Sequence, residues 1–247
     1  RQDFLGSDEY GAFSRGLSDL GYVEGKNLVI EWRFAEGKYE HLPELAAELV
    51  QLKVDIILAT GAPAISAAQK STTTIPIVMV SVSDPVGSGF VKTLARPGGN
   101  ITGLSNISTD ISPKLLEMLL SMVPRLSRVA VLMNPANPTH AIVLKYVQSA
   151  AQKTSTTILP VEARNTPEIE KAFSAMAPGK IGAVIVPRDS LFLEQRRRIA
   201  ELAAKHQLPS ISTLMELAEA GGLMGYGSSV TDTYRRAATY VDKIFKG

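Results

Sequence analysis

The 247-residue chain carries 45% hydrophobic and 20% charged residues, a formal net charge of +2 and no cysteine. That is room for one large domain or for two lobes of roughly 100–120 residues each. The composition excludes a basic field for nucleic acid, disulfides and thiolate or cysteine–metal chemistry, and any apolar run of the roughly 18–20 residues that a membrane span needs.

In chain order, apolar strand-like runs alternate with amphipathic helical runs, the pattern of parallel sheets covered by helices. A helix is expected at about 7–20, closed by Gly21, then a strand at 27–34, a helix at 40–52 and the strand VDIILA at 54–59. A helix at 62–70, the strand PIVMV at 76–80, a helix near 88–95 and a short strand at 101–104 follow. The series then restarts: helix 112–122, strand 128–133, helix 138–153, strand 156–162, helix 167–177, strand 181–186 and helix 191–205. A strand at 209–212, a helix at 214–220, a strand at 222–226 and a helix at 231–246 close it. Trp32 alternates with Ile30 and Phe34, which reads as core packing on a strand. The basic run Arg196–Arg198 lies beside Glu194 and Glu201 and reads as a solvated helix face.

The halves match in order though little in identity: VDIILATGAPAISAAQ with IGAVIVPRDSLFLEQR, IPIVMVSVSDPV with LPSISTLMELAE, and NITGLSN with GLMGYGS. Two similar α/β lobes are therefore expected, residues 1–104 completed by a returning helix at 228–247, and residues 105–227. The crossings are expected near Gly103–Asn106 and Gly225–Ser228. The second half places RVAVLMNPANP before its first helix, whereas the first half has only RQDFLG. A strand is thus expected upstream of residue 1 or is missing from this chain. No signal peptide is recognisable in the opening RQDFLGSDEYGAF.

In open parallel sheets ligands sit at the carboxyl ends of the strands. The loops there are ATGAPA (59–64), SVSDPVGSG (81–89), MNPANPTH (133–140), VPRDSLF (186–192) and STLME (212–216). They are rich in residues that make tight turns and helix caps and can offer hydroxyls and free N–H groups to a carboxylate or phosphate. SDPVGSG lacks the lysine and spacing of a P-loop, GSGFV holds a lone G-x-G, and no G-x-S-x-G elbow occurs. His41, His140 and His206 have no metal-ligand spacing. His140 alone stands in a proposed ligand loop, and no nucleophile lies near it in sequence. Asp84 reads as a turn or N-cap acid that can also accept from a ligand. Asp189, directly after an apolar strand, reads either as the N-cap of helix 191–205 or as the partner of a ligand ammonium. Tyr226 either stacks on a flat ligand or packs between lobes, with Phe192 and Tyr10 as weaker versions of the same idea.

The stretches GLSDLGYVEGKNLVIEWRFAEGKYEHLPELAAELV, DIILATGAPAISAAQKSTTTIPIVM, SDPVGSGFVKTLARPGGNITGLSN and GGLMGYGSSVTDTYRRAATYVDKIFKG resemble one family. It is the ABC-transporter substrate-binding group that includes tryptophan- and other aromatic amino-acid-binding members. The likeness spans essentially the whole chain, and DPV…RPGGNITG is its most specific part. It implies a type I periplasmic-binding-protein fold, with two lobes hinged by crossover strands and a ligand enclosed between them. It also implies export by signal peptide or lipoprotein anchor and delivery to a membrane permease. Residue by residue it points to Thr60 and Gly61, Ser83 and Asp84, Asn134 and Asp189, with Tyr226 as a softer carry-over. Ala62, Pro85, Asn137 and Ser190 in the same loops complete the expected ligand-binding set. The chain departs from the family in lacking its first strand and loop, and the segment beyond IFKG.

The expectation is a two-lobed α/β, non-catalytic, extracytoplasmic binding component of an ABC importer. It would be a monomer without cofactor, metal or nucleic acid, binding an amino acid with an apolar or aromatic side chain. Helix N-termini and hydroxyls would hold the carboxylate, and Asp189 or Asp84 the ammonium. The alternatives are the ligand-sensing effector domain of a transcriptional regulator or signalling receptor, and, third, an α/β enzyme.

Overall fold

The computed structural model describes residues 8–106, 108–176 and 181–247. The expected opening of the first helix at residue 7, the stretch RQDFLG and the expected end of a helix at 177 lie outside the described residues. The chain divides into two compact units, Arg1–Asn106 with Ser229–Gly247, and Ile107–Ser228.

In the first unit, β1 (Ile57–Thr60), β2 (Ile77–Val82) and β3 (Ile101–Ser105) form a parallel three-stranded sheet in the order β1-β2-β3. Alternation sends Ile57, Ala59, Ile77, Met79 and Ile101 to one face, where they pack with Ala62, Ile65 and Ala68 of α3 (Gly61–Ser71) and with Leu49 and Val50 of α2 (Leu42–Gln51). Val78 and Val80 point the other way and are also fully buried. That face is covered by α10 (Val230–Lys246), against which α1 (Asp8–Asp19) packs. Gly16 allows this helix pair: a Cβ there would stand 2.7 Å from the carbonyl oxygen of Arg235.

Two sequence expectations fail here. Residues 27–34 join no sheet among the described residues. Only an isolated bridge links Glu24 and Leu28. Among the described residues β1 is the edge strand on its side, and 27–34 runs without a ladder. It is held instead by Arg33 Nε donating to Glu48 Oε2 at 2.6 Å and by aromatic packing. Trp32 is consequently half-buried, stacked on Phe34, and both rings meet Tyr10 edge-on. The helix expected near 88–95 is replaced by turns. Gly89 (φ 74°) interrupts the winding, and Phe90 and Val91 are pegged into the core below the sheet.

The second unit contains α4 (Ser108–Met122), β4 (Arg128–Met133), α5 (Thr139–Ala151), β5 (Thr157–Glu162), α6 (Thr166–Met176), β6 (Ala183–Val186), α7 (Ser190–Glu194), α8 (Arg196–Lys205), β7 (Ser210–Ser212), α9 (Met215–Glu219) and β8 (Met224–Gly225). Its five strands are all parallel, in the order β5-β4-β6-β7-β8. Val129, Val131, Ala183, Ile185 and Ile211 form a core with Leu115, Leu116 and Leu119 of α4 and Val143 and Val147 of α5. Ala130, Leu132, Val184 and Val186 are equally buried on the other face; α6 packs there at β5 and is in turn packed by α8. A strand buried on both faces reads as a continuous apolar run, which is why RVAVLM and AVIV stand out in the sequence. The helix expected over 191–205 is broken at Gln195 (φ −92°, ψ 15°) into α7 and α8. The Arg196–Arg198 run is solvated as expected, Arg198 bridging to Glu170 and Glu201.

Candidate functional site

At the carboxyl end of β1, Thr60 has the extended conformation of an N-cap, but its side chain does not cap α3. Its Oγ1 is spent on the hydroxyl of Tyr234, 2.7 Å away on α10. The first turn of α3, Gly61 and Ala62, is therefore left without a side-chain cap. Pro63 removes one further donor there. Gly61 takes φ 79°, which a side chain would strain.

The end of β2 lies beside it, since Thr60 pairs with Val80. Here the register slips by one residue between Met79 and Val82, and Ser81 adopts φ 59°. Such a bulge re-aims the residues that follow it. They are buried Ser83, half-buried Asp84 and buried Pro85. Asp84 Oδ1 accepts the N–H of Gly87 at 2.7 Å, an Asx-type turn. A Cβ on Gly87 would stand 2.1 Å from Asp84 Oδ2, so the glycine keeps this carboxylate unobstructed.

In the second unit the nominated polar residues turn inward upon one another. Asp189 is the N-cap of α7: its Oδ1 accepts Leu191 N–H at 2.9 Å. Asn134 Nδ2 donates to the same oxygen at 3.4 Å and Asn137 Nδ2 to Oδ2 at 2.8 Å. Asn134 Oδ1 accepts Ala136 N–H, and Asn137 Oδ1 accepts both the N–H and the hydroxyl of Thr139. The expectation that the MNPANPTH loop offers free N–H groups is corrected by complete accounting. Asn134 N–H goes to His140 Nδ1, Ala136 N–H to Asn134 Oδ1, Asn137 N–H to Asn134 O, Thr139 N–H to Asn137 Oδ1 and His140 N–H to Asn137 O. Pro135 and Pro138 have none. The surface of this edge is left to exposed Pro135, Ala136 and Pro138 and half-exposed Ser190.

His140 is fully buried, and burial holds its pKa below the ordinary histidine value, against the opposing pull of the Asp189 carboxylate. Phe192, read from sequence as either stacking on a flat ligand or packing between lobes, is fully buried and faces the imidazole at 5.7 Å between ring centres. Tyr226 is 42% exposed, its N–H donating to Ser212 O. Beyond it the chain is strapped over the ends of β6 and β7. A Cβ on Gly227 would come within 2.2 Å of Thr213 O, and Arg188 Nη2 donates to Ser228 O at 2.7 Å. Tyr234, Arg188 and Thr213 were not singled out from sequence. Tyr234 occupies an ordinary interior position of an amphipathic helix, so no local pattern marks it. Among the described residues no cluster of His, Asp or Glu could hold a metal ion, and no helix is long and apolar enough to cross a membrane.

Comparison with known proteins agrees with this architecture. Residues 7–247 match the family described as ABC transporter substrate binding protein. The "Tyrosine-binding protein" of Clostridioides difficile (strain R20291) is 28% identical over 236 residues, 95% of this chain and 67% of that protein. A conserved domain protein from Vibrio cholerae superposes with a TM-score of 0.88 at 25% identity, covering 97% of this chain and 80% of the other. An ABC domain from Streptococcus pneumonia in complex with L-Trp superposes at 0.85 with 22% identity and the same coverage. The fold is that of the type I periplasmic binding proteins, parallel sheets flanked by helices. Its family is one of extracytoplasmic solute-binding proteins, not an enzyme family. With a match over residues 7–247, on parallel sheets flanked by helices, this chain belongs to the ABC transporter substrate binding protein family.

Proposed function

We propose that the chain binds an L-amino acid with an aromatic or large apolar side chain and delivers it to a membrane permease, working as an exported monomer, periplasmic or lipid-anchored. Residues 1–104 with 228–247, and residues 105–227, serve as its two lobes. One observation carries the reading. At the carboxyl edge of the first sheet, a helix N-terminus without a side-chain cap, at Gly61–Ala62, adjoins the loop that presents Asp84. Unpaired amides at the positive end of a helix suit a carboxylate, and a carboxylate suits an ammonium. An edge that offers both within one loop pair matches the head of a zwitterion. Asp84 is the better ammonium partner than Asp189, whose oxygens already accept from Leu191, Asn134 and Asn137. In the first unit Ser83 and Pro85 join these contacts; in the second unit, taken by itself, Ser190 and Tyr226 are the contacts, with Asn134 and Asn137 behind them. The names of the relatives, one tyrosine-binding and one holding L-Trp, support an aromatic side chain.

The test is calorimetric titration with the proteinogenic amino acids and with benzoate as a carboxylate lacking an ammonium. L-tyrosine or L-tryptophan should bind and benzoate should not. Binding of benzoate as tightly as of the amino acid, or no heat from any amino acid, overturns the reading.

A further inference from the structure

His140 is a buried titratable group to which the proposed binding reaction gives no task. Its Nδ1 accepts the N–H of Asn134 at 2.8 Å, so that nitrogen carries no proton. The proton is therefore on Nε2, which faces the carbonyl oxygen of Arg188 at 3.1 Å. This tautomer ties Asn134, the first residue of the loop after β4, through His140 to the loop after β6, His140 and Arg188 lying 48 positions apart in sequence. A second tie between the same loops runs through Asp189, which takes the side-chain amides of Asn134 and Asn137. Every backbone N–H of residues 134–140 is already engaged, and two of the seven positions are prolines. The loop therefore has no spare backbone donor with which to settle into another arrangement.

Resting on the amino-acid reading above, we infer that His140 is a positioning residue for ligand binding. Its ring, as the Nε2–H tautomer, fixes the loop at Pro135–Ala136 against the loop at Ser190, so that both exposed edges meet the ligand in one fixed geometry. His140 itself touches no ligand. Holding contact groups by the packing and hydrogen bonds of buried neighbours is what converts a surface into a preorganised site.

Three variants of the full chain separate positioning from mere support. His140→Asn keeps an acceptor where Nδ1 stands, His140→Gln keeps a donor towards Arg188 O, and His140→Phe keeps the packing on Phe192 with neither hydrogen bond. Titrated with L-tryptophan and L-tyrosine well below each variant's Tm, His140→Phe should bind about tenfold more weakly or worse, the scale of one lost buried hydrogen bond. His140→Asn should recover most of that loss. Wild-type affinity in His140→Phe overturns the inference. If His140→Phe does not fold, the comparison passes to His140→Asn and His140→Gln, and equal wild-type affinity in both overturns it. If the wild-type chain binds neither amino acid, the amino-acid reading fails while the positioning claim is still decided by amide hydrogen exchange. His140→Phe or His140→Gln should then speed exchange at Asn134, Ala136 and Leu191 and leave β4 and β6 unchanged; unchanged exchange at those three amides overturns it.

Discussion

The hydroxyl of Tyr234 and Oγ1 of Thr60 stand 2.7 Å apart although 174 positions separate them in the chain. This one bond ties the last helix to the end of β1, and it takes from Thr60 the oxygen with which a threonine normally caps the helix it precedes. An α3 without a side-chain cap, at the carboxyl edge of the first sheet, is the result.

Tyr234→Phe should lower the unfolding free energy of the protein by about 1 kcal/mol, and Thr60→Val by a similar amount. Because both remove the same bond, the double variant should be no worse than either single one by more than a few tenths of a kcal/mol. Urea denaturation of the four proteins checks the cycle, and full additivity would contradict a direct bond.

The two acids should separate cleanly. Asp84→Asn keeps an oxygen for Gly87 N–H and should leave the Tm near that of wild type, while weakening amino-acid binding roughly tenfold to a hundredfold. Asp189→Ala leaves the amides of Leu191, Asn134 and Asn137 without their acceptor in a buried place. It should cost on the order of 3 kcal/mol of stability. Thermal melts and calorimetry on both variants are the check, and the opposite pattern would reverse the roles given to these carboxylates.

Acid should destabilise the second unit through His140. Burial lowers its folded pKa below the ordinary value of 6.5, so the unfolded chain binds the extra proton first. Stability gains nothing from this residue above about pH 6.5, where both states are neutral, and falls as pH drops through that value towards the lower folded pKa. Protonation would also set an N–H at Nδ1 against the N–H of Asn134. Melting curves between about pH 5 and 8 at constant ionic strength should show a slope that is shallower in His140→Phe.

Gly103→Ala should be among the most damaging single changes. The residue has φ 138°, and a Cβ would stand 2.2 Å from Met79 O in the neighbouring strand. Loss of several kcal/mol, about 3 or more, is expected from strain and strand separation together. A soluble variant with a wild-type melting curve would show that β2 and β3 do not pair as described.

Much of the fold is legible in the sequence because its strands are buried on both faces. PIVMV, VAVLM and AVIV are continuous apolar runs, IILA is a shorter one, and helical patterns stand between them, so a parallel α/β arrangement is written locally. The ligand edges follow from it, since loops rich in Gly, Pro, Asn and Asp fall at the carboxyl ends of those runs. Residues 27–34 show the limit. Alternation gives an extended backbone, but a strand also needs a neighbour's ladder, and none stands beside β1 among the described residues. Residues 88–95 show it again, where Gly89 and the burial of Phe90 and Val91 override a helical pattern.

The sequence by itself determined which residues could bear charge at the sheet edges: Asp189, directly after an apolar strand, and Asp84, a turn or N-cap acid that can also accept from a ligand. Only the tertiary structure decided which donors each carboxylate meets. A carboxylate's availability depends on which donors reach it, and beside the local Leu191 N–H those of Asp189 come from Asn134 and Asn137, 55 and 52 positions away and brought close by the pairing of β4 with β6. Asp84 meets a donor from its own turn, at Gly87. Hydrogen bonds saturate through space, and neither periodicity nor composition records which distant partner will arrive.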